Sequence, residues 1–236
     1  MSSRARTSGD PGVNWDLFEI ASLAAGALRA EAARIDEEQA ALGIDALDEL
    51  ALHDLLRRGI GERYAVLAEQ RYPIGRGRSR RTEGERCDIV VLPEGADAAP
   101  HLTDPLEVGT LFQGRGIDPR QALWIEVKGV WHHALTDGIA RPNPAYTSQL
   151  TRLVAADLRK LRAEQGIDWA AMMVIAFHES AAIADHDLAA WREAMALRGL
   201  MPAAPIMERF AITERIGNAV CSVVVAPVRD QPVQFG

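Results

Sequence analysis

One short apolar stretch of the sequence carries two charged residues of opposite sign. In ALWIEVKGVW (122–131), Glu126 and Lys128 are two positions apart. Side chains alternate between the two faces of a β-strand, so these residues share a face if the stretch is extended. Burying a carboxylate and an ammonium group is costly unless each finds a partner. Stability alone does not favour such residues here, and we expect them to have a chemical role.

A further acidic residue stands in the apolar stretch that precedes this one. RCDIVVL (86–92) carries Asp88 and is also predicted to be a strand. Carboxylates from adjacent strands can converge on a hard cation such as Mg²⁺, which takes oxygen ligands. A lysine beside that cation can orient a water molecule or offset charge that develops on a phosphate. Asp88, Glu126 and Lys128 therefore predict a site that cleaves phosphodiester bonds.

The elements that position these residues follow from the spacing of apolar residues. Helical spacing predicts four helices, over residues 15–42, 45–58, 146–163 and 185–200. Short apolar stretches predict four strands, over residues 63–74, 86–92, 122–131 and 169–178, followed by a C-terminal hairpin that turns at Gly217–Asn218. This order predicts an α/β fold with a mixed central sheet.

The remaining segments divide into caps, loops and termini. Asp45 is predicted to cap the second helix and Gly59 to end it. Loops are predicted over 93–121 and 132–144, which are rich in Pro, Gly and Asp. We expect residues 1–14 to be disordered, residues 15–228 to form a single domain with a core at about 45–178, and residues 229–236 to be a tail.

Composition narrows the classes of partner. The net charge of −7 argues against a broadly basic surface, yet RYPIGRGRSRR (71–81) concentrates five arginines. Of these, Arg76, Arg78, Arg80 and Arg81 are the expected phosphate contacts. Cys87 and Cys221 lack partners at zinc-binding spacing, which favours a reducing, cytoplasmic compartment, and no apolar run is long enough for a membrane span. The His132–His133 pair has no acidic neighbour at ligand spacing and is not predicted to bind metal.

Asp88 followed by Glu126-Val127-Lys128 resembles the D…(D/E)-x-K signature of the PD-(D/E)XK nuclease superfamily. The predicted element order over 45–178 is similar to that family's αβββαβ core. The resemblance implies a restriction endonuclease-like fold, here with an extra N-terminal helix and a C-terminal helix plus β-hairpin. Two features depart from the pattern: Cys87 replaces the proline before Asp88, and 38 positions separate Asp88 from Glu126.

The resemblance also implies roles for the motif residues. Asp88 and Glu126 would hold Mg²⁺ or Mn²⁺ with help from the backbone carbonyl of Val127. Lys128 would position the attacking water molecule. Many family members add a glutamate from the first helix, and Glu49 matches that position.

Several other polar residues are candidates for supporting roles. His53 lies one turn after the matching glutamate on the same face of the helix and could join it. Gln149, on the helix after the third strand, matches a polar residue that sometimes supports the site in the family. Asp157 and Lys160 on the same helix are additional candidates.

The expected function is that of a Mg²⁺-dependent endonuclease acting on DNA, for example in defence or restriction, and double-strand cleavage would fit a homodimer. The alternative is a catalytically silent nucleic-acid-binding or protein-interaction module of the same fold, whose helix at 15–42 docks onto a partner. A third possibility treats Glu126 and Lys128 as a solvated ion pair on a surface strand and Asp88 as an edge-strand charge.

Overall fold

The computed structural model of the chain describes residues 14–73, 85–95, 101–103 and 116–229. The α-helices within these residues are α1 Leu17–Glu37, α2 Glu49–Ile60, α3 Tyr146–Ser148, α4 Val154–Ala163 and α5 Ala181–Leu197. The strands are β1 Val66–Arg71, β2 Arg86–Val91, β3 Leu123–Trp131, β4 His133–Thr136, β5 Ile139–Pro142, β6 Trp169–His178, β7 Ile206–Ala211 and β8 Val220–Pro227. A 3₁₀ turn at Ile44–Ala46 precedes α2, and a π-helical turn at Gln149–Leu153 joins α3 to α4.

Six of the strands form one mixed sheet in the order β1-β2-β3-β6-β8-β7. β3 and β6 are parallel, and the other neighbours are antiparallel. A parallel pair needs a crossover connection, and the helical segment from α3 to α4 provides it. The predicted α/β fold with a mixed sheet is confirmed, and so is the C-terminal hairpin, whose second strand lies between β6 and β7.

The sheet is covered by helices on both faces. α1 and α2 pack against one face and share a core with Ile125 and Val127 of β3. α4 and α5 pack against the other face, where Trp124 and Val130 of β3 are buried. The alternation expected along β3 therefore divides its apolar side chains between two cores.

The apolar stripe of α1 belongs to the core. Ile20 and Leu28 are fully buried among residues of α2 and the sheet. The stripe is thus satisfied within the chain, which removes the reason for expecting this helix to dock onto a partner. No helix in the described part of the chain is both long and apolar enough to cross a bilayer.

The start of α2 differs from the prediction. Asp48, not Asp45, is the N-cap, and its side chain accepts a hydrogen bond from the Ala51 amide at 2.8 Å. Asp45 lies in the preceding 3₁₀ turn, buried, where it accepts from Asn218 Nδ2 at 2.9 Å. The prediction was wrong because two aspartates three residues apart offer the same capping chemistry, and a tertiary contact with Asn218 uses the first one. The first helix likewise ends at Glu37 rather than at 42.

The segment 132–144 was predicted to be a loop, and this prediction was wrong, because the segment contains the β4–β5 hairpin. Its strands turn at Asp137 and Gly138, which have positive φ values of 52° and 75°. A type I′ turn requires positive φ at both central residues, and Asp-Gly is a favoured pair for it. The dipeptide was the signal for a hairpin in a stretch whose short strands lack apolar alternation. The predictions for residues 1–14 and 229–236 fall almost wholly outside the described residues.

Close packing of α1 against α2 yields a prediction about two glycines. A Cβ on Gly59 would lie 2.5 Å from Ala27 Cβ and 2.7 Å from the Leu23 carbonyl oxygen. We expect Gly59→Ala to lower the free energy of unfolding by about 1–3 kcal/mol, because overpacking outweighs the helix propensity of alanine. Gly26→Ala in α1 is the matched control, since its Cβ would have no neighbour within 4 Å; it should be neutral or stabilising by up to ~1 kcal/mol in urea titrations. Equal effects of the two substitutions would contradict this packing.

Candidate active site

The candidate site lies where β2 and β3 separate. Their pairing starts at Val91↔Leu123 and ends at Ile89↔Ile125. In the same register, Asp88 stands opposite Glu126, but at this point the backbone ladder stops. Asp88 Oδ2 instead accepts a hydrogen bond from the Val127 amide at 2.8 Å. A side-chain carboxylate thus replaces the backbone of β2 as the partner of β3.

Glu49 does the same one step further along β3. Its Oε1 accepts from the Gly129 amide at 3.2 Å and from Lys128 Nζ at 2.8 Å. Glu49 is the first residue of α2, so the N-cap at Asp48, which fixes the start of the helix, also fixes the position of the Glu49 backbone. The structure therefore brings the predicted first-helix glutamate into contact with the predicted lysine.

Asp88 and Glu126 stand opposite each other in the register of β2 and β3, near enough for their carboxyl groups to interact. Glu126 is only 5% exposed. Burial raises the pKa of both carboxyl groups, and the charge of Asp88 raises the pKa of Glu126 further. Both effects make it unfavourable for the two carboxyl groups to be ionised at the same time in this buried position. Additional positive charge near this pair would favour the ionised forms.

A second lysine and a tyrosine contact the predicted glutamate. Glu126 Oε1 accepts from Lys160 Nζ at 2.7 Å and from the Tyr72 hydroxyl. The Lys160 ammonium also lies 5.1 Å from the centre of the Tyr72 ring. Lys160 was an additional candidate from sequence, whereas Tyr72 was missed because one tyrosine at the end of a strand carries no motif.

Asp157 on α4 lies among these charges. Its pKa is raised to about 6, mainly by burial and then by the charge of Glu126, against the lowering effects of Lys128 and Lys160. The charge of Glu49 acts on the same carboxyl group. Both members of each ion pair therefore act on Asp157, which indicates that the two pairs lie close to one another.

Lys128 and Lys160 are the only lysines in the sequence, whose other basic residues are all arginine. Both ammonium groups contact carboxylates of the candidate site. Lysine carries a compact charge on a flexible stem, and unlike arginine its pKa can shift far enough for proton transfer. The chain therefore places all of its lysine side chains at one place in the fold.

Gln149 is not brought into this group. It lies in the π-helical turn, and its Oε1 accepts from Asn143 Nδ2 at 2.9 Å. Asn143 also donates to the Trp131 carbonyl at 2.9 Å. Trp131 is five residues beyond Glu126 on β3, or ~17 Å at the usual rise of a strand. Within the described residues, no hydrogen bond joins Gln149 to the carboxylates of the site, so the supporting role expected for it gains no support from the structure.

Two groups of side chains could each offer three metal ligands. His53, Glu69 and Asp88 bring one ligand atom each to within 4.8 Å of one another. His132, His133 and Glu179 do the same. Glu179 is the acidic companion that sequence spacing did not show: β6 ends beside β3, so that its carboxylate lies 3.5 Å from His132 Nδ1.

The predicted phosphate contacts Arg76, Arg78, Arg80 and Arg81 lie outside the described residues. They belong to the connection between Pro73 and Glu85, which joins β1 to β2. Their role stays a prediction from the sequence.

Comparisons of the chain with protein-family models, with curated proteins and with solved structures found no match. The resemblance to PD-(D/E)XK nucleases therefore rests on the motif residues, their geometry and the order of the elements.

The raised pKa of Asp157 leads to a prediction about stability and pH. The folded-state pKa of about 6 lies above the ordinary value of 3.8, so the folded chain binds this proton more tightly than the unfolded chain. The stabilising contribution is complete below pH 3.8 and is lost as pH rises through about 6. Without metal, Asp157→Asn should raise the melting temperature at pH 7.5 by about 2–4 °C, the shift that ~1 kcal/mol gives in a domain of this size.

This gain should shrink at pH 4.5, where Asp157 of the unmodified protein is mostly protonated. Thermal melts followed by circular dichroism at both pH values measure the difference. Glu193→Gln is the control, because it removes one negative charge from an exposed position on a different helix, α5. An equal gain at the two pH values would show that the pKa of Asp157 is not raised in the folded protein.

Proposed function

We propose that this chain is a Mg²⁺- or Mn²⁺-dependent nuclease of the PD-(D/E)XK type that hydrolyses phosphodiester bonds of DNA. The observation that carries the proposal is the meeting of Asp88 and Glu126 at the point where β2 and β3 separate, with Lys128 in the same cluster. A carboxylate pair beside an ammonium group is the arrangement that cation-assisted phosphodiester hydrolysis needs.

The arrangement of elements supports the proposal. The strands β1-β2-β3-β6 are neighbours in the sheet, with one parallel pair at β3 and β6. α2 precedes them in sequence, and the segment from α3 to α4 connects the parallel pair. With the β4–β5 hairpin taken as an insertion after β3, this order is compatible with the αβββαβ core that the resemblance implies. α1 and the segment α5-β7-β8 are then additions at the two ends.

The donor set suits a hard divalent cation. Asp88 and Glu126 offer carboxylate oxygens, and Val127, which follows Glu126 directly and donates its amide to Asp88, would offer its carbonyl oxygen. The raised pKa values of the two carboxyl groups indicate that their negative charges are incompletely balanced. A cation here would relieve that repulsion and would release protons on binding.

The chain's own residues divide the remaining tasks. A bound divalent cation would lower the pKa of a water molecule and offset charge on the scissile phosphate. Lys128 is held by Glu49, so its ammonium group has a fixed place from which to orient that water molecule. Lys160 is held by Glu126 on the other side and can approach a phosphate oxygen as negative charge develops there.

One observation favours the alternative function, that of a catalytically silent binding module with the same fold. Each lysine is already paired with a carboxylate, Lys128 with Glu49 and Lys160 with Glu126, and such pairs can also persist for structural reasons. In that case the site would not take up a divalent cation at millimolar concentration. Calorimetric titration with Mg²⁺ and Mn²⁺ separates the two functions, because saturable uptake that Asp88→Asn abolishes fits only the nuclease.

Cleavage assays test the proposal directly. With Mg²⁺ or Mn²⁺ the protein should cut plasmid or linear DNA, and both Glu126→Gln and Lys128→Met should reduce the rate by at least ~10²-fold, the usual effect of losing a charge-stabilising group. Asp54→Asn is the matched control, since its exposed side chain lies on α2 away from the site. Circular dichroism checks that each variant is folded. Cleavage that survives in both folded variants would refute the nuclease.

The arginine-rich connection predicts salt-dependent DNA binding. Each phosphate contact contributes about 0.9 to the slope of log affinity against log salt concentration. Arg80→Ser with Arg81→Ser should lower that slope by ~1.8 in fluorescence anisotropy titrations with a DNA duplex. Arg192→Ser with Arg198→Ser, at exposed positions on α5 and at its C-terminus, changes the net charge equally and should leave the slope unchanged. Equal slopes for the two double variants would contradict the proposal that arginines of this connection contact phosphates.

A further inference from the structure

Two adjacent histidines and a glutamate meet at the C-terminal ends of β3 and β6. His132 follows β3 directly, His133 begins β4, and Glu179 follows β6. His132 is six residues beyond Glu126, or ~20 Å at the usual rise of a strand. The group formed by His132, His133 and Glu179, here called the histidine site, therefore shares no residue with the proposed nuclease site.

The spacing of the three side chains suits a four-coordinate cation. One ring nitrogen from each histidine and one carboxylate oxygen of Glu179 all lie within 4.8 Å of one another. His132 Nδ1 is 3.5 Å from Glu179 Oε2. Tetrahedral ligands at about 2.0–2.1 Å from Zn²⁺ stand ~3.3–3.4 Å apart, so these two atoms are already at ligand spacing. A small movement of the third side chain would complete the set.

Both imidazole rings have a buried nitrogen to which the chain offers no hydrogen bond. Nδ1 of His132 and Nδ1 of His133 are buried and have no hydrogen-bond partner among the residues that the structure describes. The contact between His132 and Glu179 is longer than the about 2.7–3.2 Å of an N–H···O hydrogen bond. Buried polar atoms are nearly always paired, so two exceptions on neighbouring residues call for an explanation. A cation that accepts a lone pair from each ring would provide it.

The backbone holds both histidines in place. The His132 amide donates to the Phe177 carbonyl at 2.9 Å, and the His132 carbonyl accepts from the Asn143 amide at 2.8 Å. The buried side chain of Asn218 accepts from the His133 amide at 2.9 Å and donates to the His133 carbonyl at 3.0 Å. Ligands that are fixed in this way lose little freedom when they bind a cation.

Neighbouring side chains also restrict the two rings. The His132 ring packs edge-on against the rings of His133 and Tyr146, with centroids 5.0 Å apart in each case. Gly217, with a φ of 108°, lies against the His133 ring, and a Cβ at this position would stand 2.7 Å from His133 Cγ. A glycine here therefore provides both the backbone conformation and the space that the ring needs.

We propose that His132, His133 and Glu179 bind one Zn²⁺ ion, with water as the fourth ligand. Two imidazoles and one carboxylate are a donor set that zinc takes in proteins, and imidazole ligands favour zinc and transition cations over Mg²⁺. The Glu179 side chain is 54% exposed, so the ion is open to solvent on that side. The ion would join the end of β6 to the bend that follows β3. Neither its ligands nor its binding depend on the proposed nuclease activity.

Cobalt spectroscopy of the full chain tests the proposal. Co²⁺ can take the place of Zn²⁺, and it absorbs visible light strongly when four-coordinate and weakly when octahedral. Added to chelator-treated protein at about pH 7.5, Co²⁺ should give the four-coordinate spectrum at one equivalent, and Zn²⁺ should abolish it. His132→Gln and Glu179→Gln should each lower the Co²⁺ affinity by at least ~10-fold, the smallest usual effect of losing even an indirect contact with a metal.

Three variants that keep the histidine site are the controls. Asp88→Asn removes a ligand of the proposed nuclease site, His186→Gln removes an exposed histidine on α5, and Glu193→Gln removes an exposed carboxylate from the same helix. Each should retain the spectrum and the affinity, and circular dichroism checks that every variant is folded. Absence of the spectrum in the unmodified protein, unchanged affinity in folded Glu179→Gln, or loss of the spectrum in a folded control would each overturn the proposal.

Thermal melts with Zn²⁺ give a second readout. A cation that binds only the folded chain raises the melting temperature, and Zn²⁺ at ~100 times its dissociation constant should raise it by about 5–10 °C. Addition of EDTA should reverse the rise. In Glu179→Gln, the same Zn²⁺ concentration should give about half of this rise or less, because the affinity is lower. An equal rise in the two proteins would show that zinc binds elsewhere and would overturn the proposal.

Discussion

The site depends on backbone amides of β3 that β2 does not pair. Beyond Ile125 the two strands separate, and an amide that faces the gap needs another acceptor, because an unsatisfied buried N–H group is costly. Asp88 takes the Val127 amide and Glu49 takes the Gly129 amide. Carboxylates that would be unfavourable in a continuous sheet are thus held in place by the break in it. The backbone of β3 therefore helps to set their positions, together with the ion pair between Lys128 and Glu49.

β3 can tolerate this break because its other edge is fully paired. β6 runs parallel to it from Leu123↔Trp169 to Trp131↔Phe177, a register that spans the whole strand. One edge therefore holds β3 in the sheet along its whole length while the other presents amides to side chains. Glu126 and Lys128 project from this supported strand, and the same strand orients Val127. Groups on a rigid element are held more accurately than groups on a loop, which is what a catalytic arrangement needs.

Sequence reasoning predicted the parts of the site that follow from local periodicity. Alternation along two apolar strands was enough to select Asp88, Glu126 and Lys128, whereas Glu49 came from the resemblance, which implies a glutamate on the first helix. The α/β fold and its mixed sheet followed in the same way, whereas the cap at Asp48 was decided by a contact between Asp45 and Asn218 that is distant in sequence. Periodicity shows which face a residue is on but not which neighbour it meets.

The members of the site that the sequence did not reveal depend on tertiary contacts and on strain. Tyr72 follows β1, which β2 separates from β3, yet its ring stacks on Trp124 and its hydroxyl donates to Glu126. Glu69 stands opposite Asp88 in the register of β1 and β2, at a point where its left-handed backbone interrupts the ladder. Gln149 matched a family position by spacing, yet the π-helical turn places it against Asn143. Glu69 and Gln149 lie at irregularities of the backbone, and Tyr72 joins the cluster through the packing of its side chain, so the residue type does not decide the contact in any of these cases. Irregular backbone therefore coincides with the candidate site, as expected where local structure is constrained by chemistry more than by stability.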